Sequence, residues 1–354
     1  MQDFKIGNKE ISIKRKPFII GEVSANHKKS IINVFKAIDF ASKNNFDAVK
    51  LQTFEAEDLT INTDKKEFLI KNYFSNKRWN NRSLFDLYKE AELPIKLHER
   101  IFKYAKNKKV ICFSSVFSED KIKFLEKFNV PAYKIASLEC LHFPLIEKVS
   151  KTNKPLIIST GTLDNNEIIE LVKFLNKLKN KKIIIMHCNT EYPVKVENVN
   201  LDKINFIKSI SNFHVGFSDH TTGFNSATAS IALGAVAVEK HIKMSKKIKT
   251  LDSDFSLSLP EMKIYSKNIN EAWKSIGNKN ASQSKSEKFN KKFRRSIFFS
   301  KDIKKGEKIK IESLKIVRPK IGLSPKNVFK IIGKKAVKNF KKDSSVKRLS
   351  YFRK

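Results

Sequence analysis

Two histidines occupy positions where they could bind a metal ion together. His220 follows the apolar segment 214–217, and His241 follows the predicted strand segment 235–240. The residues between the segments carry Ala, Ser and Ile at helical spacing, which predicts a strand–helix–strand unit. Its parallel strands would bring both histidines to one edge of a sheet. Paired imidazoles suit a divalent transition metal, although two rim histidines hydrogen-bonded to backbone would leave the same pattern.

Lys50 and Lys134 are a second unusual feature, because each lies between apolar neighbours in a predicted strand. A lysine buried in a strand costs free energy unless an anion is paired with it. The alternative is that both side chains run outward between helices and expose their ammonium groups. Four serines are predicted at other strand ends: Ser115, Ser137, Ser159 and Ser218. Lysines and hydroxyls in one place would suit a ligand that carries a phosphate and a carboxylate.

Other predicted strand ends are also polar. They contribute Glu22, Gln52, Ser114, Glu139, Thr190, Tyr192 and Asp219, with Lys240 beside His241. One polar strand end carries little information, since every strand must run into a loop. Eight of them converging predict an anion-binding pocket that also bears a metal.

The elements that position these residues alternate regularly along the chain. Apolar strands are predicted at 18–23, 48–53, 110–113, 132–136, 155–158, 183–186, 214–217 and 235–240. Helices are predicted at 31–43, 95–106, 119–128, 144–151, 165–178, 201–209, 224–234 and 260–276. An insertion at 55–93, with a helical piece at 84–91, follows the second strand.

Eight strands, each followed by a helix, predict an α/β fold of the (β/α)8 or TIM-barrel type. An open doubly wound sheet would need a glycine-rich phosphate turn after its first strand. Here residues 22–27 read Glu-Val-Ser-Ala-Asn-His, without glycine. Because barrel enzymes carry their active sites at the carboxyl ends of the strands, the polar strand ends fall where an active site is expected.

The chain changes character after the barrel. We assign 1–277 to the barrel domain, the polar segment 278–292 to a linker, and 293–354 to a small β-rich domain. Strands are predicted in the small domain at 296–299 and 314–319.

The net charge of +36 raises the possibility of a nucleic-acid-binding protein. Only nine of the 72 basic residues are arginine, and the lysines are dispersed over every predicted helix except 224–234. We therefore expect no specific nucleic-acid partner, and salt-sensitive RNA binding at physiological ionic strength would contradict this.

The cysteines and the apolar segments argue against further classes of protein. Cys112, Cys140 and Cys188 are isolated, so neither a zinc knot nor a disulfide frame is expected. No apolar run reaches the length of a membrane span and no signal peptide is apparent, so we expect a cytoplasmic protein without membrane contact.

Six ordered segments carry a family resemblance: FIIGEVSANH, DAVKLQTF, VPAYKIAS, KPLIISTG, GFSDHTTG and ALGAVAVEKH. They resemble the sialic acid synthase family. The tail, RRSIFFSKDIKKGEKI with LKIVRPKIGLSP, is similar to the antifreeze-like (SAF) domain of that family. The resemblance covers almost the whole chain. It implies a transferase that condenses phosphoenolpyruvate with an N-acetylated amino sugar, giving a nine-carbon ulosonic acid for cell-surface glycans and phosphate.

Within the family, the pseudaminic acid branch is the most similar. The similar segments are 22–27, 59–62, 84–88 and 252–257. The chain departs from the branch at 93–97, and from the family at Val116 and Lys320, where relatives have Pro and Gly. Sialic acid and legionaminic acid are therefore the alternative products.

The resemblance also implies roles for residues. Phosphoenolpyruvate would be held by Lys50, Ser115, Lys134, Ser137, Ser159, Thr190 and Ser218. His220 and His241 would bind a divalent metal, Mn²⁺ before Mg²⁺ or Co²⁺, with Gln52 nearby. Glu22, Glu139, Tyr192 and Asp252 would contact the sugar or transfer protons. Arg318 would reach the barrel of the partner subunit in a domain-swapped homodimer.

One different enzyme class is an alternative. In a sugar-phosphate aldolase barrel, Lys134 would form a Schiff base with the substrate. Borohydride trapping distinguishes the two, because only the Schiff base would leave a sugar covalently attached to Lys134.

Overall fold

The computed structural model describes residues 1–71, 79–278 and 280–354. The chain divides into two compact units, Met1–Gly277 and Asn278–Lys354. The predicted linker 278–292 contains a short helix, Lys285–Asn290, and its residue 279 lies outside the described residues. Part of the predicted insertion, 72–78, also lies outside them.

The first unit is a closed barrel of eight parallel strands. In chain order they are Phe18–Glu22, Ala48–Thr53, Ile111–Val116, Tyr133–Ile135, Leu156–Ser159, Ile183–Cys188, His214–Asp219 and Ala237–Lys243. Consecutive strands are hydrogen-bonded neighbours, and the eighth strand pairs with both the seventh and the first. This pairing closes the sheet, so the predicted (β/α)8 fold is confirmed.

Helices surround the barrel. They are Ile31–Lys43, Leu84–Ala91, His98–Asn107, Glu119–Glu126, Phe143–Lys151, Asn165–Lys177, Lys203–Ile210, Asn225–Ala232 and Leu259–Ile276. No helix among the described residues is long and apolar enough to cross a membrane.

The helix Asn165–Lys177 shows how the sequence fixes such an element. Asp164 accepts a hydrogen bond from the backbone N–H of Glu167 at 2.9 Å, and Glu167 Oε2 accepts one from the backbone N–H of Asp164. This capping box satisfies amide groups that have no partner in the first turn. The buried face of the helix follows at a spacing of three and four residues: Ile168, Leu171, Val172 and Leu175.

Two apolar cores lie on opposite faces of the barrel wall. The larger core fills the space between strands and helices, and the smaller one fills the barrel interior. A hairpin of Phe4–Ile6 and Lys9–Ile11 adds Phe4, Ile6 and Ile11 to the interior core. This hairpin was not predicted from the sequence.

Short strand pairs complete the fold. The first unit also contains Leu69–Ile70 with Arg82–Ser83, and Leu257–Ser258 beside the eighth barrel strand. In the second unit, Ser296–Phe299 pairs with Leu314–Val317, and Lys335–Ala336 pairs with Phe352–Arg353. These pairs enclose a separate apolar core. The small β-rich domain is thus present.

Candidate active site

A cavity of about 450 Å³ opens at the carboxyl ends of the barrel strands. It contains most of the residues that the sequence analysis selected. The selected residues that line it are Lys50, Gln52, Lys134, Ser137, Glu139, Ser159, Thr190, Tyr192, Ser218, His220, His241 and Asp252. Side chains alternate between the two faces of a strand, and these residues occupy the inward positions of their strands or the loops that follow.

Four charged side chains form the floor of this cavity. Lys134 Nζ lies 2.9 Å from Glu239 Oε2, and Lys50 Nζ lies 3.6 Å from Glu239 Oε1. Lys50 Nζ also lies 2.6 Å from Glu22 Oε2. All four residues are at most 4% exposed. The prediction that both lysines face inward is confirmed, and their anionic partners are carboxylates of the chain itself.

Glu22 and Ser115 form a lower layer of this floor and do not themselves line the cavity. Lys50 Nζ donates a hydrogen bond to Ser115 Oγ at 2.9 Å, and Gln52 Nε2 donates to Glu22 Oε1 at 3.0 Å. Gln52 also donates to Ser24 Oγ at 3.1 Å. These contacts fix the Lys50 ammonium between two carboxylates.

Burial and neighbouring charges together shift the pKa values of the side chains in this floor. Burial raises the pKa of Glu22 to about 7, against the opposing effect of Lys50. Although burial opposes it, the carboxylates of Glu22 and Glu239 raise the pKa of Lys50. Burial lowers the pKa of Lys134 more than Glu239 raises it. The floor therefore combines a firmly protonated lysine with a carboxyl group that can exchange a proton near neutral pH.

The two histidines lie side by side, with ring centroids 5.3 Å apart. His220 Nδ1 is 2.6 Å from the carbonyl oxygen of Asn189, which assigns the proton to Nδ1 and leaves Nε2 as a lone-pair donor. His241 Nδ1 is buried without a hydrogen-bond partner among the described residues, 3.8 Å from Asp252 Oδ2. Burial and nearby positive charges lower the pKa of His241 well below its ordinary value. The neutral imidazole of His241 and the Nε2 lone pair of His220 fit a transition metal.

Hydroxyl groups surround the space above the lysines. Ser137 Oγ accepts a hydrogen bond from the backbone N–H of Gly161 at 3.1 Å and lies 3.5 Å from Cys188 Sγ. Thr190 Oγ1 donates to the carbonyl of Gly161 at 3.5 Å. Ser159 and Ser218 line the same cavity. Short hydroxyl side chains beside two ammonium groups form an environment suited to anionic oxygens.

Two further acidic residues occupy the cavity wall. Burial raises the pKa of Glu139 to about 7. Asp252 is buried, and its Oδ2 accepts a hydrogen bond from the backbone N–H of Ala25 at 3.3 Å. Burial also raises the pKa of Asp252. Both groups are placed where they could exchange protons with a bound ligand.

The upper wall of the cavity is largely apolar and aromatic, which the sequence analysis did not foresee. Tyr192 lies between Trp79 and His220, with ring centroids 5.7 Å and 4.4 Å away. The other apolar lining residues are Phe54, Leu59, Ile70, Leu84, Leu87, Tyr88, Ala91, Phe117, Leu138 and Leu251. Many come from the insertion after the second strand, so this segment shapes the mouth of the site.

Three predicted pocket residues face the opposite way. Asp219 and Lys240 point outward from the barrel and form an ion pair of 3.2 Å there. Ser114 is hydrogen-bonded to Thr53 on the outer face, at 2.6 Å between the hydroxyl oxygens. The predictions for these residues were wrong, because each stands next to an inward-facing residue of the same strand.

Glu239 is a charged cavity residue that sequence reasoning missed. The eighth strand was predicted to end at residue 240, so only its last residues were considered as strand ends. The strand continues to Lys243, and alternation places Glu239 on the same face as His241. Counting back two residues from His241 would have found it.

Arg318 lies in the second unit, where it is exposed directly after the strand Leu314–Val317. Within that unit it lines a shallow cavity with Asn290, Phe293, Arg294 and Arg295. Its predicted role in a partner's barrel stays a prediction.

A closed barrel with a polar cavity at the carboxyl ends of its strands defines the architecture of a (β/α)8 enzyme. Residues 37–281 match the NeuB family model, and residues 294–347 match the SAF domain. The chain belongs to the NeuB family, and the resemblance to the sialic acid synthases is confirmed.

Relatives of known function cover nearly the whole chain. It is 38% identical to the pseudaminic acid synthase of Campylobacter jejuni, over 97% of this chain and 98% of that protein. It is 32% identical to the N,N'-diacetyllegionaminic acid synthase of the same species, over 94% and 99%. A crystal structure of N-acetylneuraminic acid synthetase from Leptospira borgpetersenii aligns with a TM-score of 0.71 and 25% identity, covering 82% of this chain and 95% of that one.

Proposed function

We propose that this enzyme condenses phosphoenolpyruvate with an N-acetylated amino sugar to give a nine-carbon ulosonic acid and phosphate. The observation that carries this proposal is the pair of buried lysines, Lys50 and Lys134, in a cavity lined with hydroxyl groups. Two ammonium groups can hold a ligand with separate phosphate and carboxylate groups. The named relatives are synthases of this kind of product.

The proposed product is pseudaminic acid. Identity to the Campylobacter jejuni pseudaminic acid synthase is 38%, against 32% for the legionaminic acid synthase of the same species. The apolar upper wall of the cavity suits the methyl groups of an N-acetylated sugar, because they can be buried there without losing hydrogen bonds. Legionaminic and sialic acid remain the alternative products.

The lysines and hydroxyls would orient phosphoenolpyruvate in this reaction. Lys50 and Lys134 would offset its negative charges, while Ser137, Ser159, Thr190 and Ser218 would donate hydrogen bonds to its oxygens. Ser115 would act through Lys50, whose ammonium group it holds. Because the two lysines lie at the floor of the cavity, their positive charge fixes the orientation of phosphoenolpyruvate in it. Its C3 carbon is then directed toward the sugar aldehyde.

The bond changes define the protons that must move. C3 of phosphoenolpyruvate forms a bond to the aldehyde carbon, and the aldehyde oxygen gains a proton. Water adds to the cationic C2 and gives up a proton. The C2–O bond to phosphate then breaks, and loss of the hydroxyl proton leaves a ketone. Glu139 lines the cavity, and Glu22 is connected to it through Gln52 and Lys50. Each has a pKa of about 7, which suits a group that accepts and returns these protons.

The remaining polar residues would hold the sugar. Asp252 and Tyr192 line the cavity close to the two histidines, and Gln52 is fixed by Glu22. Hydrogen bonds to sugar hydroxyls and amides would align the aldehyde for attack.

A divalent metal is part of this proposal, and His220 and His241 would be its protein ligands. Mn²⁺ is the preferred ion, with Mg²⁺ and Co²⁺ as alternatives, since imidazole favours transition ions. When bound, such an ion supplies Lewis-acid polarisation of the aldehyde oxygen. Among the described residues no cluster of three or more His, Cys, Asp or Glu forms a metal site, so two histidines would leave positions for substrate or water.

The proposal also includes the assembly. Arg318 would enter the barrel of a partner subunit in a domain-swapped homodimer and contact the sugar there. Its planar guanidinium suits paired hydrogen bonds to oxygen atoms better than a lysine would. We place the reaction in the cytoplasm.

The test is phosphate release from phosphoenolpyruvate with a panel of acceptors. The panel contains the amino-sugar precursors of pseudaminic, legionaminic and sialic acid, with Mn²⁺ present. We expect release only with an N-acetylated acceptor, and the highest kcat/KM with the pseudaminic acid precursor. If none of the acceptors in the panel supports phosphate release, the proposed reaction is contradicted. A higher kcat/KM with another precursor would contradict the proposed product.

A further inference from the structure

An ion pair lies on the outer face of the barrel, directly behind the two histidines. Lys240 Nζ and Asp219 Oδ2 are 3.2 Å apart, and both side chains are fully buried. Asp219 and Lys240 are register partners on the seventh and eighth strands. Neither residue lines the cavity. Each is followed in the chain by one of the histidines, His220 or His241.

Thr221 connects this ion pair to the loop after His220. Its backbone N–H and its hydroxyl both donate to Asp219 Oδ1, at 2.9 Å and 2.8 Å. Lys240 Nζ donates a hydrogen bond to the Thr221 carbonyl. Asp219, Thr221 and Lys240 thus form one closed cluster, which fixes the backbone on both sides of His220 and the residue before His241.

We propose that this cluster is a positioning device that sets the separation and orientation of His220 and His241. The inference rests on the proposed metal site, since that is what the spacing of the imidazoles would serve. Backbone displacement on one face of a strand moves the side chains on the other face, because successive residues share the same peptide plane. A buried ion pair with a shared threonine resists such displacement in both strands together.

The alternative is that the cluster only stabilises the barrel. A buried ion pair that loses one member destabilises a fold strongly, whereas neutralising both members is much milder. We therefore replace both residues, Asp219→Asn with Lys240→Met, which leaves the net charge unchanged. The matched control is Thr53→Val with Ser114→Ala. This pair belongs to a buried hydrogen-bonded cluster with His98 on the outer face of the second and third strands.

For each protein we measure three quantities. They are the Mn²⁺ affinity, by calorimetry, the electron paramagnetic resonance spectrum of bound Mn²⁺, and the melting temperature. We expect the Asp219→Asn/Lys240→Met protein to bind Mn²⁺ about 10- to 100-fold more weakly and to show an altered spectrum. The control should keep wild-type affinity at a comparable loss of melting temperature. The KM for phosphoenolpyruvate should change little in the Asp219→Asn/Lys240→Met protein, since Lys50 and Lys134 are untouched.

Each outcome decides a different point. Wild-type affinity and spectrum in the double variant would overturn the positioning role while leaving the metal site intact. Equal losses of affinity in the variant and the control would also overturn it, because that is the effect of general destabilisation. Wild-type protein that binds no Mn²⁺ would overturn the metal role and this inference with it. If the double variant does not fold, Thr221→Val replaces it. We then expect a smaller loss of Mn²⁺ affinity, and an unchanged affinity would count against the inference.

Discussion

Lys134 and Glu239 form an ion pair across the interior of the barrel, with 2.9 Å between Nζ and Oε2. Their strands, the fourth and the eighth, lie on opposite sides of the closed sheet. Lys50 approaches the other oxygen of Glu239 at 3.6 Å. Although burial opposes it, the two lysines lower the pKa of Glu239 and keep it ionised. Glu239 thus supplies the negative charge that two buried ammonium groups require, and an anionic substrate would share these lysines with it.

Replacing Glu239 with Gln should therefore destabilise the free protein more than the substrate-bound protein. Two buried ammonium groups lose their shared anion, at a cost of about 3–5 kcal/mol in the free energy of unfolding. Phosphoenolpyruvate would restore the missing negative charge. Thermal unfolding with and without phosphoenolpyruvate should show a lower melting temperature for Glu239→Gln and a larger ligand-induced increase.

The control is Glu147→Gln, which removes an exposed ion pair with Lys151. Exposed pairs contribute about 0–1 kcal/mol, so the melting temperature should hardly change. If phosphoenolpyruvate raises the melting temperature equally in wild-type protein and Glu239→Gln, then Glu239 and the ligand do not share the lysines.

The fold was predictable because its signals are local. Buried parallel strands are short apolar segments, and the helices between them repeat every three to four residues. Helix Ile31–Lys43 and strand Ala48–Thr53 have the predicted bounds. The third strand was predicted to end at residue 113 but continues to Val116, since barrel strands extend into polar residues where the site begins. The N-terminal hairpin has strands of three residues, too short for periodicity.

The site was predictable in its residue types but not in its pairings. Lys50 and Lys134 were selected because a buried ammonium group needs an anion. The sequence could not show that Glu22 and Glu239 supply it, because these contacts join residues far apart in the chain. Asp219 and Lys240 show a different limit: both were predicted near the carboxyl ends of their strands, where they lie, but the face on which their side chains lie was not predicted.

Lys134→Met should lower kcat/KM for phosphoenolpyruvate by about ten- to a hundredfold. Loss of one charge-assisted hydrogen bond costs about 1.5–3 kcal/mol, and KM should rise while kcat falls. Steady-state kinetics measures this, with Lys151→Met as an exposed control. Unchanged kcat/KM would remove Lys134 from the substrate site.

Borohydride treatment of wild-type protein with substrates should leave no adduct on Lys134, and an adduct would favour the Schiff-base alternative.

Removal of the metal should abolish turnover. Chelation, His220→Ala and His241→Ala should each abolish phosphate release, and the two substitutions should weaken Mn²⁺ binding with little loss of fold. Circular dichroism and Mn²⁺ titration provide the measurements. His142→Ala, an exposed histidine that caps a helix, should bind Mn²⁺ like the wild type. Full activity after chelation would rule out a catalytic metal.

Glu139 should make the enzyme less stable as the pH rises through its folded pKa. Burial raises this pKa from 4.5 to about 7, so the folded state holds a proton that the unfolded state has lost in this interval. Stability attributable to Glu139 is then present below the unfolded pKa and decreases as the pH rises to about 7. The difference in unfolding free energy between wild type and Glu139→Gln should fall by about 1–3 kcal/mol from about pH 5 to about pH 8. A difference that is constant over this range would contradict the raised pKa.

Arg318 should act in the site of a partner subunit. An Arg318→Ala chain keeps an intact barrel, and a His220→Ala chain keeps an intact Arg318. If the arginine acts in trans, each heterodimer contains one site with both groups and one with neither. Random exchange places half of the chains in heterodimers, so mixing two inactive proteins should restore roughly a quarter of the wild-type activity. Mixing Arg318→Ala with an Arg318→Ala/His220→Ala chain is the control and should restore none. Heterodimers that are confirmed by mass and stay inactive would show that Arg318 does not act across the dimer.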